Sequence, residues 1–233
     1  MTVPAPPPVT PPLPVTALAA RDNAEWCATM CRAHGGDGGT FAERAWTSPA
    51  RTPPYYPDAV TLSPAASAAD VLDGIDAGSG ASVKDSFATL DLPGFDVLFE
   101  ARWIHHPAPA PRPGRLTWEP ATPATLGAWE QACFDGGMDG LFPAALLEEA
   151  TILCGGIGGE LVAGCVLTPR ERVVGVSNVF DAGCGPDEVW AGVVSAAATL
   201  FPGRPLVGYE RDPSDALRHG FRTTGPLRVW LRS

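Results

Sequence analysis

One stretch, residues 153–185, most constrains what this chain can fold into. It reads LCGGIGGELVAGCVLTPRERVVGVSNVFDAGCG: two apolar runs joined by a glycine turn, then a third apolar run that ends in a Gly-x-Gly loop. A helix-like segment follows directly. A strand that ends in a glycine loop and opens onto a helix presents unpaired N–H groups, which favour phosphate groups. The sequence therefore predicts strands organised around a phosphate-binding turn.

The charge balance narrows the classes of partner that the sequence predicts. The chain of 233 residues carries a formal net charge of −10 and has a pI near 4.7. Such a surface repels nucleic acid and anionic lipid, so neither nucleic acid nor membrane is predicted as a partner. No apolar run approaches a membrane span and no secretory signal is visible, so we expect a cytoplasmic protein. A neutral or cationic small molecule suits this charge, and a homodimer is compatible with it.

Six cysteines are scattered through apolar surroundings, which predicts reduced and buried thiols in a cytosolic protein. Cys27, Cys31 and His34 are spaced so that a helix would present them on one face. They supply three ligands only, and no second cluster completes a tetrahedral site. The sequence therefore predicts no metal site.

Two proline-rich segments divide the chain. Residues 1–14 (MTVPAPPPVTPPLP) predict a polyproline-like tail, because proline is excluded from helix interiors and central strands. Residues 107–114 predict a semi-rigid linker, about 25 Å long if it extends at roughly 3.1 Å per residue. The predicted organisation is thus a tail, a first half over residues 15–106, the linker, and a second half over residues 115–233.

Hydrophobic periodicity and turn residues predict helices and strands in both halves. The first half is predicted to contain a helix over 15–34, strands over 59–62 and 95–104, and short helices over 67–76 and 82–92. The second half has the predicted order β-α-α-β-β-β-α-β-α-β, with strands over 116–119, 151–157, 161–167, 173–180, 205–209 and 227–231. Its helices are predicted over 123–134, 144–149, 188–200 and 213–219.

A weak internal repeat relates the two halves. In each half a Gly-Phe pair, at 94–95 and at 220–221, leads into a strand that carries a tryptophan eight or nine residues further on. The strand AVTL of residues 59–62 and the strand PLVG of residues 205–208 occupy the corresponding earlier positions. The first half is therefore interpreted as a partial copy of the second.

Three features of the second half resemble the GNAT superfamily of acyl-CoA-dependent N-acyltransferases. They are the strand-turn-strand GGELVAGCVL, the strand, glycine loop and helix of residues 173–200, and the sequence ALRHGF before the last strand. With the order of elements, they cover residues 115–233. The resemblance implies an α/β fold with a GNAT-like mixed central sheet and flanking helices. It also implies that the first half is a degenerate second GNAT-like copy.

In that fold the fourth and fifth strands splay apart and hold the pantetheine arm of the coenzyme between them. Here these strands are residues 173–180 and 205–209, and the loop after the first of them would bind the pyrophosphate. The resemblance implies acyl transfer from acetyl-CoA or another acyl-CoA to an amine of a small molecule or peptide. It places the coenzyme against six residues: Val179, Phe180, Gly183, Cys184, Gly185 and Pro186.

The loop departs from the family pattern Arg/Gln-x-x-Gly-x-Gly/Ala at two positions. It keeps the first two glycines, but Ala182 replaces the arginine and Asp187 replaces the last glycine. Asp181 stands just outside the loop, and each of the two carboxylates would oppose a pyrophosphate by ~1 kcal/mol at a solvated dielectric. Arg170 or Arg172, near a strand end, are the candidate compensating charges.

Three polar residues are candidates for the chemistry. Alanine stands where many family members carry a tyrosine four residues before the closing Gly-Phe, so Tyr209 or Glu210 would donate or accept the proton. Asn178, a polar residue within an apolar strand, would contact the substrate. Each has a structural alternative: Tyr209 as an interface aromatic, Glu210 as an ion-pair partner of Arg211 or Arg218, and Asn178 as a turn residue.

Two functions remain open from the sequence. One is acyl-CoA-dependent N-acyl transfer to an amine. The other is a non-catalytic protein that keeps the fold, has lost the pyrophosphate loop, and binds a ligand or partner.

Overall fold

The structure, a computed structural model, describes residues 14–233, so the predicted tail apart from Pro14 lies outside the described residues. These residues form one mixed sheet with helices on both faces, which confirms the predicted fold class. The strands are β1 (Thr40–Phe41), β2 (Ala45–Thr47), β3 (Ala59–Thr61), β4 (Ser82–Asp85), β5 (Asp96–His106), β6 (Thr117–Pro120), β7 (Thr151–Ile157), β8 (Glu160–Pro169), β9 (Val174–Asp181), β10 (Leu206–Glu210) and β11 (Arg222–Leu231). The helices are α1 (Val15–Ala33), α2 (Ala68–Leu72), α3 (Leu126–Cys133), α4 (Leu146–Glu149), α5 (Pro186–Leu200) and α6 (Ser214–Arg218).

The two halves of the chain share this sheet. The strand order is β1-β2-β3-β4-β11-β5-β10-β9-β8-β7-β6, so β5 of the first half lies between β10 and β11 of the second. Strands β5 and β11 pair antiparallel along most of their length. On either side of them stands a parallel pair, β3 with β4 and β9 with β10. The order is therefore symmetric about the β5–β11 contact.

This symmetry corrects the alignment that the sequence repeat predicts. The helix α2 connects β3 to the parallel β4, just as α5 connects β9 to the parallel β10. In this symmetric order β3, which contains the AVTL segment, corresponds to β9. The predicted correspondence between AVTL and PLVG of β10 is therefore wrong, because the two segments lie in strands that do not correspond. The counterpart of β10 is β4, which the sequence prediction missed together with the short strands β1 and β2.

Strand β4 lies where the sequence predicts a helix over residues 82–92, and that prediction is wrong. Its residues pair with β3 on one side and with β11 on the other. The carboxylate of Asp85 then accepts the N–H groups of Phe87 and Leu90, at 3.3 and 2.7 Å, and closes a turn. Tertiary pairing on both edges of the strand outweighs local helix propensity here.

Helices cover both faces of the sheet. On one face, Val193 of α5 packs with Val174 and Leu206, which lie on β9 and β10. On the other face, α1 crosses the centre of the sheet and brings Ala20 against Trp103 of β5. Small residues along α1 allow this close approach, and burial of apolar surface stabilises both layers.

The remaining predicted elements are present, most of them with small shifts at their ends. The exceptions are β11, which begins five residues before the predicted strand, and α2, which ends four residues before the predicted end. The hairpin of β7 and β8 turns at Gly158-Gly159, as predicted. Ser67 caps α2 through a capping box with Asp70. The linker of residues 107–114 is coil and is anchored to α5, because Arg112 exchanges backbone hydrogen bonds with the Ser195 hydroxyl. No helix among residues 14–233 is long and apolar enough to cross a membrane.

Candidate functional site

Strands β9 and β10 run parallel but are paired only where they begin. Register pairs join Leu206 to Val174 and Val207 to Gly175, and none follows between the described parts of these strands. On its other side β10 pairs with β5 along its whole length. A cleft therefore opens between the carboxyl ends of β9 and β10, which is the splay that the resemblance implies.

Asn178 marks an irregularity in β9 at the edge of this cleft. Its φ of 50° is in the left-handed region, which asparagine tolerates better than most residues. The register between β8 and β9 shifts here, between Gly164 and Val166. A bulge bends its strand, which accounts for the divergence of β9 from β10. The Asn178 amide lies 3.9 Å from the sulfur of Cys133 in α3, and its contact with a substrate stays a prediction.

The loop after β9 is folded around the carboxylate of Asp181. Its Oδ1 accepts hydrogen bonds from the N–H groups of Gly183 at 2.9 Å, Cys184 at 2.9 Å and Gly185 at 3.0 Å. The two glycines have φ angles of 123° and 94°, which turn successive N–H groups toward one point. Such nests of N–H groups bind anions, and here the chain supplies the anion itself.

The charge of Asp181 is stabilised by this arrangement. Partial burial raises the pKa of the carboxyl, but the N–H donors of the loop outweigh it and hold the pKa below its usual value. Gly185 is also the N-cap of α5, where the helix dipole favours a negative group. Asp181 is therefore ionised at neutral pH and fixes the shape of the loop.

Asp187, the second carboxylate of the altered pattern, is engaged with α6. Its Oδ1 lies 2.9 Å from Nε2 of His219 and 3.8 Å from Nε of Arg218. It stands in the first turn of α5, where a carboxylate is favourable. Both carboxylates near the loop thus have partners within the chain.

The loop in this conformation does not fit the pyrophosphate of coenzyme A. The N–H groups that would take a phosphate oxygen already donate to Asp181. A pyrophosphate there would face an ionised carboxylate in place of free donors. The loop therefore lacks free N–H donors for a pyrophosphate. The sequence alone predicts only an unfavourable charge at this position.

The expected compensating arginines lie elsewhere, so that prediction is wrong. Arg170 and Arg172 are in the turn before β9, at the opposite end of the strand from the loop. Nε of Arg170 is 3.7 Å from Asp22 and 3.3 Å from Glu25, both on α1.

The other predicted coenzyme contacts are spread over two faces of the sheet. Val179 packs against the α5 core, whereas Phe180 packs edge-on against Trp129 of α3, with ring centroids 5.5 Å apart. Pro186 is the first residue of α5. These residues, with Cys184, border the cleft and loop, and their role toward a coenzyme stays a prediction.

Tyr209 and Glu210 end β10 at the cleft and point to opposite faces. The ring of Tyr209 packs edge-on against Trp103 on the α1 face, with centroids 5.6 Å apart. Glu210 borders the cleft, and Asp215 of α6 is near its carboxyl. Its burial, followed by the nearby carboxylates of Asp215 and Asp212, raises the pKa of Glu210 to about 7. A carboxyl with such a pKa can accept or release a proton at neutral pH.

The arginines proposed as ion-pair partners of Glu210 are engaged with other groups. The guanidinium of Arg211 stands 5.4 Å from the ring centroid of Phe99. Arg218 pairs with Asp215 one turn earlier on α6. Glu210 thus borders the cleft without either of these two partners.

A groove with two lobes lies on the α1 face beside the cleft. The lobes have volumes of about 420 and 380 Å³, within the range of small-molecule sites. The first extends over the ends of β4 and β11, and the second reaches Ser177 and Asn178 in β9. Both lobes are lined by the same six residues: Tyr55, Tyr56, Pro57, Lys84, Phe99 and Tyr209.

One wall of the groove is the segment of residues 51–58. Asp58, which is 1% exposed, anchors it by accepting hydrogen bonds from the Arg51 guanidinium at 2.7 Å and from a backbone N–H. Tyr55 has a φ of 70° and its ring stacks on Phe134, the residue directly after α3, with centroids 5.2 Å apart. The segment thus bridges from the first half to the second.

Lys84, the only lysine of the chain, lies between the lobes. It is 3% exposed, its Nζ donates to Oδ1 of Asn23 at 2.8 Å, and it stands 4.1 Å from the ring centroid of Tyr209. Sequence reasoning missed Lys84 because it read this segment as a helix. The available signal was a lone lysine in the short alternating run Ser-Val-Lys-Asp.

The cysteines are all free thiols. Burial is the main cause that raises the pKa of Cys27 to about 12, so this thiol is unreactive. Nε2 of His34 is 2.9 Å from the carbonyl oxygen of Leu141. Within residues 14–233, no group of three or more histidine, cysteine or acidic side chains is placed to hold a metal ion.

Comparisons with known proteins identify the fold. No family model matches the sequence, and a search among curated proteins finds no match either. A candidate GNAT-family acetyltransferase from Novosphingobium aromaticivorans is similar with a TM-score of 0.57 and 15% identity, over 92% of this chain and 99% of that one. A GCN5-related N-acetyltransferase from Kribbella flavida gives a TM-score of 0.56 and 13% identity, over 92% and 95% of the two chains.

A third structure, a conserved protein of unknown function from Staphylococcus epidermidis, gives a TM-score of 0.51 at 8% identity and covers 66% of this chain and 72% of its own. At these identities a likeness establishes fold and not activity. The fold of this chain is that of the GCN5-related N-acetyltransferases.

Proposed function

We propose that this chain is a small-molecule-binding protein that keeps the N-acetyltransferase fold and has lost the phosphate-binding role of its loop. The observation that carries the proposal is the triple hydrogen bond from the loop N–H groups to Asp181. An acyltransferase of this fold relies on such N–H groups for the anchoring phosphates of its coenzyme. In this chain they serve an internal carboxylate.

The aromatic groove supports the binding part of the proposal. It has the volume of a small-molecule site, and it lies beside the cleft between β9 and β10. Its aromatic walls and few polar groups match the usual composition of such sites. Because the N–H groups of the loop after β9 already donate to Asp181, the geometry favours this groove as the binding site.

The contribution of the phosphates to binding tests the proposal. Calorimetric titrations would compare acetyl-CoA with acetyl-pantetheine, which carries the same thioester arm without the pyrophosphate and nucleotide. We expect that the phosphates add no affinity to wild-type protein. A tenfold or greater preference for acetyl-CoA would overturn the proposal.

Two variants of Asp181 sharpen that experiment. Asp181→Ala removes the internal acceptor, frees the three N–H groups and is expected to create a preference for acetyl-CoA over acetyl-pantetheine. Asp181→Asn is the matched control, because its carbonyl oxygen keeps an acceptor in the loop, and it is expected to behave like wild type. Identical behaviour of the alanine variant and wild type would contradict the role given to Asp181.

N-acyl transfer from an acyl-CoA to an amine is the second candidate function. It is favoured by Glu210, whose pKa of about 7 at the cleft suits acceptance of the proton of an amine. An acyl-CoA bound to the protein would supply the acyl group. This function requires the Asp181 side chain to leave the loop N–H groups. Release of free thiol from acetyl-CoA, dependent on an added amine and lost in Glu210→Gln, would favour it over the first candidate.

We further propose that the first half is a degenerate second copy of the acyltransferase unit. The support is the symmetric strand order, in which each half contributes a long strand, β5 or β11, that lies beside a strand of the other half. Each half also contains a parallel strand pair joined through a helix. The first half has only five residues in its connecting helix α2, compared with fifteen in α5.

A further inference from the structure

Among residues 14–233, no carboxylate balances the charge of Lys84. No carboxylate of residues 14–233 forms an ion pair with its Nζ within 4.0 Å, and the preceding residues include no acidic side chain. Asp58, another strongly buried charge at the groove, is paired with Arg51. An ammonium that is 3% exposed and unpaired is costly in a folded protein.

The contacts of Lys84 leave room for a further acceptor. An ammonium has three N–H donors. One is directed to Asn23, and the face of the Tyr209 ring receives the cation itself. Lys84 lines both lobes of the groove, so a molecule in the groove would contact this side chain.

The rest of the groove favours a flat molecule. Tyr55, Tyr56 and Phe99 line both lobes together with Tyr209, and such rings bury planar apolar groups well. A second cation, Arg211, borders the second lobe. Glu210 also borders that lobe, on the side of the cleft.

We propose that the groove binds a small planar or aromatic molecule that carries a carboxylate, and that Lys84 is the counter-ion of this carboxylate. The proposal rests on the small-molecule-binding function and deepens it by naming the ligand class. The ammonium of Lys84 donates to the carboxylate, and the aromatic side chains hold the planar part. The net negative charge of the chain favours neutral or cationic ligands, but the groove itself presents the cations Lys84 and Arg211.

A matched pair of probes tests the proposal. Indole-3-acetate and indole-3-acetamide have the same ring and nearly the same shape, but only the first carries a negative charge. Calorimetric titration of the full chain is expected to give at least tenfold tighter binding of the acetate. Lys84→Met, which keeps an apolar stem of similar length, is expected to remove this preference. Arg172→Gln, which removes an exposed cation far from the groove, is the control and is expected to keep it.

A second readout does not depend on the folding of a variant. Because Lys84 is the only lysine, a chain labelled with ε-¹⁵N lysine gives one side-chain signal. The acetate is expected to shift this signal saturably and the amide is not. Equal affinity for the two probes, or an unmoved lysine signal, would overturn the role of Lys84 while leaving a small-molecule site in place. Binding of neither probe would overturn the ligand class. Failure of the proposed function itself would appear instead as tighter binding of acetyl-CoA than of acetyl-pantetheine.

Discussion

The carboxylate of Asp181 accepts a hydrogen bond from the N–H group of Gly185, at 3.0 Å, across the loop that begins α5. Gly185 is the N-cap of that helix, so the carboxylate stands at the positive end of the helix dipole. In a fold whose relatives are named as acetyltransferases, the loop at this position is thus stabilised by an anion that belongs to the chain. The position at which a coenzyme phosphate would bind is therefore already occupied by the Asp181 carboxylate.

The pH dependence of stability should reflect the partly buried carboxyl of Glu210. Its pKa is raised from 4.5 to about 7, so the folded state disfavours its charged form. The stabilising contribution is present below about pH 4.5 and is lost as the pH rises toward 7. Glu210→Gln should therefore gain stability relative to wild type between pH 5 and pH 8, as measured by urea unfolding at both values.

Asp22 has a similarly raised pKa of about 7, chiefly because of burial, so wild type will keep part of its pH dependence in that variant. The variant Asp22→Asn, measured in parallel, removes the contribution of Asp22 to the pH dependence of stability. A stability difference between Glu210→Gln and wild type that is equal at pH 5 and pH 8 would contradict the raised pKa of Glu210.

A methyl group at Gly175 should destabilise the packing of α1 on the sheet. A Cβ at this position would clash with the carboxylate of Asp22 and the hydroxyl of Thr168, which are hydrogen-bonded to each other at 3.1 Å. We expect Gly175→Ala to cost about 1–3 kcal/mol in the free energy of unfolding. Gly127→Ala is the control, because open space surrounds this helical glycine and alanine favours helix by about 1 kcal/mol. Equal stability of the two variants would count against the close approach.

The bulge at Asn178 should tolerate glycine and reject a branched side chain. Its φ of 50° is free of strain for glycine and costs other residues roughly 1–2 kcal/mol. We expect Asn178→Val to lose about that much stability in urea unfolding, with Asn178→Gly close to wild type. If valine were accepted without loss, β9 would have to run straight, and the cleft beside β10 would have another cause.

The two halves should not fold independently. Strand β5 separates β10 from β11, so a chain of residues 115–233 would leave edges of both strands unpaired. We expect this fragment to lack a cooperative thermal transition, and to gain one when the fragment of residues 1–114 is added. A stable monomer of residues 115–233 alone would show that the shared sheet is dispensable.

Sequence reasoning succeeded where structure is local. The β7–β8 hairpin and the succession of β9, glycine loop and α5 depend on residues close in the chain, and both are present as predicted. The splay of β9 from β10 followed from the resemblance. These elements place Tyr209, Glu210 and Asn178 around one cleft, and the roles of these residues there stay predictions.

What could not be predicted depends on distant partners. Strand β4 pairs with β11, about 145 residues later in the chain, and nothing in its own short sequence indicates this partner. For the same reason the sequence did not bring Lys84 together with Asn23 and Tyr209. Asp181 was seen in the sequence as a charge that would repel a phosphate. Its role as the acceptor of three N–H groups depends on the backbone geometry of Gly183 and Gly185.

The most direct measurement follows the backbone amide signals of Gly183 and Gly185 by NMR while wild-type protein is titrated with acetyl-CoA. Because both N–H groups donate to Asp181, we expect neither signal to move saturably up to millimolar coenzyme at neutral pH. A saturable shift of both signals would show that the coenzyme displaces the carboxylate. That result would contradict the closed loop and restore acyl transfer as the leading function.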